Sequence, residues 1–162
     1  MRKFALLFCL LSLYCPAQEL INDADVAFEQ AVYEDAYQLY ADAADRFITD
    51  DDPIGYIHCN LKMSECKILI GEPNEGFQIA TNTIDYLDRY FPEQDLIRGE
   101  AMTLLGRANL NLGRNDLALE YLEEALNQYD DMNSLEKATC LNELITQSIS
   151  YLKMTMAAFG LC

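Results

Sequence analysis

Apolar residues recur along the chain at spacings of three and four, which is the period of an amphipathic helix. The runs Ala101 to Leu112 and Leu117 to Tyr129 show this spacing most clearly. No run alternates between apolar and polar residues, as a half-buried strand would. After the first seventeen residues the chain has only three prolines, and each stands beside an acidic residue, where a helix is expected to break: Pro53, Pro73 and Pro92. The pattern predicts an all-α protein.

Small residues repeat at fixed offsets along the predicted helices. Three trios have internal separations of 12 and then 7 residues, and successive trios follow at intervals of 40 and 42 residues. They are Ala24, Ala36 and Ala43; Ser64, Gly76 and Thr83; and Gly106, Ala118 and Ala125. Small side chains let two helices approach closely, so we predict that these residues pack the repeats. The first member of each trio would lie on one helix and the other two on the next, which makes each repeat a helix hairpin.

Turns are expected between the first and second members of each trio. Gly71 and Gly113 are typical helix stops. Asn74, and either Asn115 or Asp116, are candidate N-caps of the helices that follow. The three predicted turns cover Val32–Ala36, Gly71–Gly76 and Gly113–Ala118.

The third repeat is the most recognisable. Leu105-Gly106, Asn109 and the run Leu112 to Leu126 resemble a tetratricopeptide repeat, and Tyr33–Ala36 with Tyr40 and Ala43 resembles the second helix of another copy. The period exceeds the standard 34 residues, as in the extended repeats of kinesin light chains and bacterial regulators. The resemblance implies an all-α solenoid of helix hairpins in a right-handed superhelix. We predict an array over 18–162, with repeats at about 18–50, 53–92, 94–131 and a partial fourth at 134–162.

The resemblance also implies that the first helix of each hairpin lines a concave groove that binds extended or helical peptides. The register places these residues in that groove: Asp25, Phe28, Glu29, His58, Leu61, Glu65, Ile68, Thr103, Arg107, Leu110, Asn111, Asn142 and Ile145. They mix carboxylates with apolar residues and contain no cluster of Lys, Arg and Asn that would clamp a C-terminal carboxylate. This mixture favours a basic or amphipathic partner segment.

Both ends of the chain carry apolar segments. Residues 1–17 begin with Arg2 and Lys3, continue with a short apolar run, and end at Ala17, as a secretory signal peptide does. We expect cleavage after Ala17 and export to the periplasm or extracellular space; lipidation of Cys15, an uncleaved anchor and a buried N-terminal helix are alternatives. Residues 151–162 carry a single charge. Three interpretations of this tail are open. It is a contact surface for another chain, which includes self-association; it is the end of an array that has been cut short; or it folds back over the last repeat.

Composition narrows the class of partner. The chain has 27 Asp and Glu residues against 11 Lys and Arg residues, a formal net charge of −16. Nucleic-acid affinity depends on basic side chains that neutralise phosphates, so this surplus argues against nucleic acid, and it disfavours anionic lipid surfaces. A hydrophobic fraction of 51% is nevertheless that of a globular protein.

Residues with the chemistry for catalysis or metal binding are few. The only histidine, His58, precedes Cys59 and lies two helical turns before Cys66. A zinc site requires three or four ligands in close spacing, and this spacing does not predict one. Cys59 and Cys66 are about 10 Å apart on one helix, too far for a disulfide, so buried free thiols are expected. Asp50–Asp52 lacks the pattern of a calcium loop. Aromatic residues at helical spacing are expected to pack the core and the contacts between repeats; they include Tyr40, Tyr86, Tyr90 and Phe91.

Together these features predict an exported scaffold or adaptor that binds a protein or peptide segment, with no catalytic residue, metal or cofactor. An isolated or truncated sensory module of a bacterial signalling protein is an alternative. A metal-dependent protein or enzyme centred on His58, Cys59 and Cys66 is a second, weaker alternative.

Overall fold

The computed structural model describes residues 16–129 together with Ala138, Thr139, Asn142, Glu143 and Thr146. Residues 16–129 form six α-helices and no strand. The helices are α1 Pro16–Glu29, α2 Tyr33–Thr49, α3 Pro53–Ile70, α4 Pro73–Tyr90, α5 Asp95–Asn111 and α6 Asn115–Gln128. The predicted all-α class is therefore confirmed. The apolar run of the predicted signal peptide, Cys15, Cys140, Ile145 and the tail 151–162 lie outside the described residues.

The chain divides into two compact units, residues 1–59 and 60–162, with the boundary inside α3. In the first unit α1 packs against α2. The core of this unit contains Ala17, Ile21, Ala43, Ala44, Phe47 and Cys59. In the second unit α5 packs against both α4 and α6, around Met102, Leu122, Ala125 and Tyr129.

The nine small residues of the three trios are all buried. The first two members of a trio meet across a hairpin, where Ser64 Oγ donates a hydrogen bond of 2.8 Å to the carbonyl oxygen of Gly76. A Cβ added at Gly76 would lie 2.8 Å from the carbonyl oxygen of Ser64, and one at Gly106 would lie 2.5 Å from Leu122 Cγ. Larger side chains at these positions would therefore push the paired helices apart.

Four helices end on a residue with left-handed backbone. Gly71 and Gly113, with φ of 95° and 70°, follow α3 and α5, which confirms the predicted stops. Ala31 and Asp51, with φ of 60° and 56°, take the same place after α1 and α2. At each end the next residue donates its N–H back into the helix, for example Glu72 to the Lys67 carbonyl at 2.8 Å.

The first predicted turn is misplaced. The chain turns at residues 30–32, and Tyr33 already begins α2. No residue type marks this turn, because Ala31 occupies the left-handed position that glycine holds at Gly71 and Gly113.

The predicted N-caps are also wrong. Glu72 and Arg114 precede α4 and α6 at the N-cap position, and neither forms a side-chain cap. Asp52 caps α3, where its Oδ1 accepts the Gly55 N–H at 2.9 Å. Within the described residues, no helix is long and apolar enough to cross a bilayer.

Candidate functional site

Arg107 of α5 lies between two carboxylates in the second unit. Its guanidinium donates to Glu65 Oε1 of α3 at 2.8 Å through Nη1, and to Glu143 Oε1 at 2.9 Å through Nε. Lys62 Nζ lies 3.3 Å from the other oxygen of Glu65. The side chains of Glu65, Arg107 and Glu143 are only 22%, 22% and 17% exposed. We call Glu65, Arg107 and Glu143 the Arg107 cluster.

The two carboxyl groups of the Arg107 cluster have opposite pKa shifts. Burial pushes the pKa of Glu65 upward, but the hydrogen bond from Arg107 and the charges of Lys62 and Arg107 outweigh it, so the pKa is lowered from 4.5. Burial raises the pKa of Glu143 to about 7, with a further rise from the Glu65 charge and only partial opposition from Arg107. Glu143 Oε2 has no hydrogen-bond partner among the described residues. Arg107 is therefore neutralised mainly by Glu65.

Four groove candidates present accessible side chains on the predicted first helices. Glu29 and His58 are exposed in the first unit, and Asn111 and Asn142 are exposed in the second. Leu110 is partly buried against the second-unit core. Asn111 lies one helical turn after Arg107, and Asn142 is the chain neighbour of Glu143. The Arg107 cluster is thus bordered by polar side chains that a partner could reach.

Three groove candidates lie in the interior instead. Leu61, Ile68 and Thr103 are buried, so their assignment to an open groove surface was wrong. Ile68 faces α4, since a Cβ added at Gly76 would lie 2.6 Å from its Cγ1. Thr103 Oγ1 donates to the Gly99 carbonyl of its own helix at 2.9 Å. The register predicted the repeat position but not which side of each helix packs.

In the first unit, two further candidates make contacts within the hairpin. The hydroxyl of buried Tyr40 donates to Asp25 Oδ1, which joins α2 to α1. Phe28 packs edge-on against Tyr33, with ring centroids 5.4 Å apart. Asp25 is half-buried. The carboxylate of Asp25 therefore has a structural partner in the first unit.

The cysteines in the described residues are buried free thiols, as expected from the sequence. Burial raises the pKa of both Cys59 and Cys66 to about 12, and nearby carboxylates add to the rise. A thiol with so high a pKa is a poor nucleophile and metal ligand. In the part of the chain that the structure describes, no three His, Cys, Asp or Glu side chains are grouped as a metal site requires.

Comparison with known proteins finds the similarity in structure rather than in sequence. No protein-family profile and no curated protein sequence matches the chain. The crystal structure of the Sgt2 TPR domain from Aspergillus fumigatus superposes with a TM-score of 0.66 at 16% identity, covering 92% of this chain and 85% of that one. The NMR structure of the first TPR domain of the human RPAP3 protein has a TM-score of 0.63 at 18% identity, covering 85% and 93%.

The fold is that of tetratricopeptide-repeat domains. In a tetratricopeptide array, Glu65 and Arg107 are equivalent residues of consecutive repeats, because they lie 42 residues apart, one repeat interval. Both were predicted as site residues, but their pairing was not. Opposite charges separated by one repeat interval are the signal that could have revealed it.

The sequence did not single out Glu143 of the Arg107 cluster or Lys62, which pairs with Glu65. Glu143 follows the candidate Asn142, and Lys62 follows Leu61, but neither has a counterpart at the repeat interval that would single it out. Asn109 of the tetratricopeptide motif is fully buried and donates to the Leu105 carbonyl at 2.8 Å. Its role within the described residues is to pack α5.

Proposed function

We propose that this protein is a binding module for a protein or peptide segment. The observation that carries the proposal is the match of most of the chain to two tetratricopeptide-repeat domains, each covered to 85% or more. Fold alone does not specify a function, so the partner's chemistry is argued from the surface. The described surface offers accessible polar residues beside the Arg107 cluster rather than a set of catalytic groups.

A basic or amphipathic segment suits this surface best. The formal net charge of −16 gives the protein a negative field that attracts cationic partners and repels anionic ones. Arg107, the basic residue in the centre of the site, is already held by Glu65 and Glu143. An acidic partner would have to compete with both carboxylates, whereas a basic partner would not. We propose that it approaches α5 on the side of Asn111.

The binding experiment compares two matched substitutions in the same hairpin. Purified protein is incubated with an array of short basic, acidic and apolar peptides, and bound protein is measured. Asn111→Lys places a positive charge beside the Arg107 cluster, and Asn127→Lys places the same charge on the exposed surface of α6. Asn127 is near the carboxyl end of α6, where Tyr129 packs against Gly99. Gly99 lies about 12 Å along α5 from Arg107, which is beyond the screening length of about 8 Å in physiological salt.

Asn111→Lys should weaken capture by basic peptides several-fold, and Asn127→Lys should leave it nearly unchanged. Equal effects of the two substitutions, or a preference for acidic peptides, would reject the proposed site and partner.

Export is the second part of the proposal, supported by the charged start and apolar run of residues 1–17. Cleavage after Ala17 would remove Pro16 and Ala17 from the start of α1 and take the buried methyl group of Ala17 out of the first-unit core, a loss of about 0.8 kcal/mol for the methyl group. If export and cleavage occur as proposed, N-terminal sequencing of the exported protein should begin at Gln18. Retention in the producing cell with Met1 intact would contradict export.

A further inference from the structure

Three aromatic rings gather at the carboxyl end of α4. The centroid of the Tyr86 ring lies 4.8 Å from that of Tyr90 and 6.1 Å from that of Phe91. The sequence pattern predicted that these residues pack the core, but Tyr90 is 56% exposed and that prediction is wrong for it. Tyr86 and Phe91 are half-buried and support the exposed ring. We call Tyr86, Tyr90 and Phe91 the aromatic surface of α4.

The electrostatic surroundings of the aromatic surface favour a cation. It lies at the carboxyl end of an 18-residue helix, where the helix dipole is negative. The exposed carboxylates of Asp85 and Glu93 flank it in the chain. Asp88 is not counted with them, because it is paired with Arg98, whose guanidinium also donates to the Pro92 carbonyl.

The chain's own Arg89 already shows how a cation meets this surface. Its guanidinium carbon lies 5.9 Å from the centroid of the Tyr90 ring, within the range of a cation–π contact. Arg89 is exposed, and it stands one helical turn after Asp85. A cation–π contact at an exposed site is worth only about 0.5–1 kcal/mol, so a second guanidinium that makes further contacts could replace Arg89.

We propose that the aromatic surface of α4 binds an arginine side chain of a partner segment, which takes the place that Arg89 occupies over Tyr90. The inference rests on the proposed protein-binding function but places an arginine contact on a second helix, outside the first-helix surface. A nucleic-acid base could also stack on Tyr90, but its phosphates would meet the carboxylates of Asp85 and Glu93. An apolar side chain would gain nothing from those carboxylates, so the combination of rings and acids favours a cation, and the Arg89 contact shows that a guanidinium fits over the Tyr90 ring.

The test is an NMR titration of the full chain that follows the Tyr90 ring resonances. The probe is the peptide acetyl-Gly-Arg-Gly-Arg-Gly-amide, and its control is the same peptide with citrulline, the neutral isostere, at both arginine positions. The arginine peptide should shift the Tyr90 resonances in a salt-dependent manner, and the citrulline peptide should not. Unshifted Tyr90 resonances, or equal binding of the two peptides, would overturn the inference.

Four variants locate the contact. Tyr90→Ala should weaken binding of the arginine peptide by about two- to five-fold, while Tyr90→Phe retains the ring face and the affinity. Arg89→Ala should strengthen binding, because it removes the competing cation. Leu117→Ala removes an exposed apolar side chain of α6 and should change nothing.

Weaker binding by Arg89→Ala would show that Arg89 recruits the ligand rather than competes with it, and would refute the exchange. The same experiment distinguishes the arginine contact on α4 from the proposed binding at the first-helix surface. If Asn111→Lys weakens binding of the arginine peptide and Tyr90→Ala does not, the first-helix site stands and the aromatic site fails. The reverse result supports the aromatic site and rejects the first-helix site.

Discussion

Arg107 is held by two carboxylates that respond in opposite ways to their surroundings. Glu65 has a lowered pKa because Arg107 and Lys62 compensate its burial, whereas Glu143 has a pKa raised to about 7 because burial is not fully compensated. A half-buried ion pair stabilises a protein only when the partner charges offset the loss of hydration. The two glutamates should therefore contribute oppositely to the free energy of unfolding.

Substitution of Glu143 by glutamine should stabilise the protein above neutral pH. The folded state keeps a proton on Glu143 that the unfolded state loses from pH 4.5, so this residue makes stability fall as the pH rises from 4.5 to about 7. Glu143→Gln removes that loss, and we expect a gain of about 1–3 kcal/mol at about pH 8. Urea unfolding over this pH range measures it. A loss of stability at pH 8 would show that the pair with Arg107 is net favourable.

Substitution of Glu65 by glutamine should have the opposite effect. Its folded pKa lies below 4.5, so its contribution is present above that pH and is lost as the pH falls through the folded pKa. We expect Glu65→Gln to lower the free energy of unfolding by about 1–2 kcal/mol at neutral pH, because Arg107 loses its main partner. Equal unfolding midpoints of Glu65→Gln and wild type in neutral urea would contradict the division of roles.

The left-handed residues allow a reciprocal test at the helix ends. An alanine with φ of 60°, as at Ala31, costs about 1–2 kcal/mol of backbone strain. Glycine would relieve this strain, but part of the benefit is lost because glycine has more conformational entropy in the unfolded state. Ala31→Gly should therefore stabilise by about 0.5–1 kcal/mol. Gly71→Ala should destabilise by about 1 kcal/mol through its backbone alone, since an added Cβ meets no atom within 4 Å. Thermal melting of both variants checks the pair, and shifts of the same sign would refute the explanation.

At the level of elements, close contact between the helices of a hairpin depends on small residues. In an exposed helix, Gly→Ala gains about 1 kcal/mol. At Gly76 the added methyl would lie 2.8 Å from the Ser64 carbonyl oxygen, a backbone atom that cannot move aside alone. We expect Gly76→Ala to cost a net ~1–2 kcal/mol, and Asn74→Ala on the exposed side of α4 to change stability by less than about 0.5 kcal/mol. Equal urea midpoints for the two variants would remove the close approach as an explanation.

The helices and their packing positions could be predicted because they follow from periodicity. Ala36, Gly76 and Ala118 share one register, and a buried interface tolerates only small residues there. The turn at Ala31 was not predicted because its left-handed residue is an alanine, and only glycine at such a position marks a helix end in the sequence. The burial of Thr103 and Ile68 was not predicted for another reason. The repeat register gives the position of a residue along its helix, whereas the width of the buried face depends on how the neighbouring helices pack.

For the whole molecule, charge and fold together support the proposal about the partner. A net charge of −16 on a tetratricopeptide-repeat fold favours a cationic segment. The Arg107 cluster could be predicted only in part, since its residues come from three separate stretches of chain that folding brings together. Glu65 and Arg107 were found by their register, whereas the pairing and Glu143 required the three-dimensional structure.

The proposed function requires that the first-helix surface around Arg107 binds a partner segment. Hydrogen–deuterium exchange of the purified protein, with and without the tightest basic peptide from the array, tests it most directly. The peptide should slow amide exchange in α5 around Arg107 and Asn111, with no comparable change in α6. Slowed exchange confined to α6, or no change in α5 at saturating peptide, would contradict it.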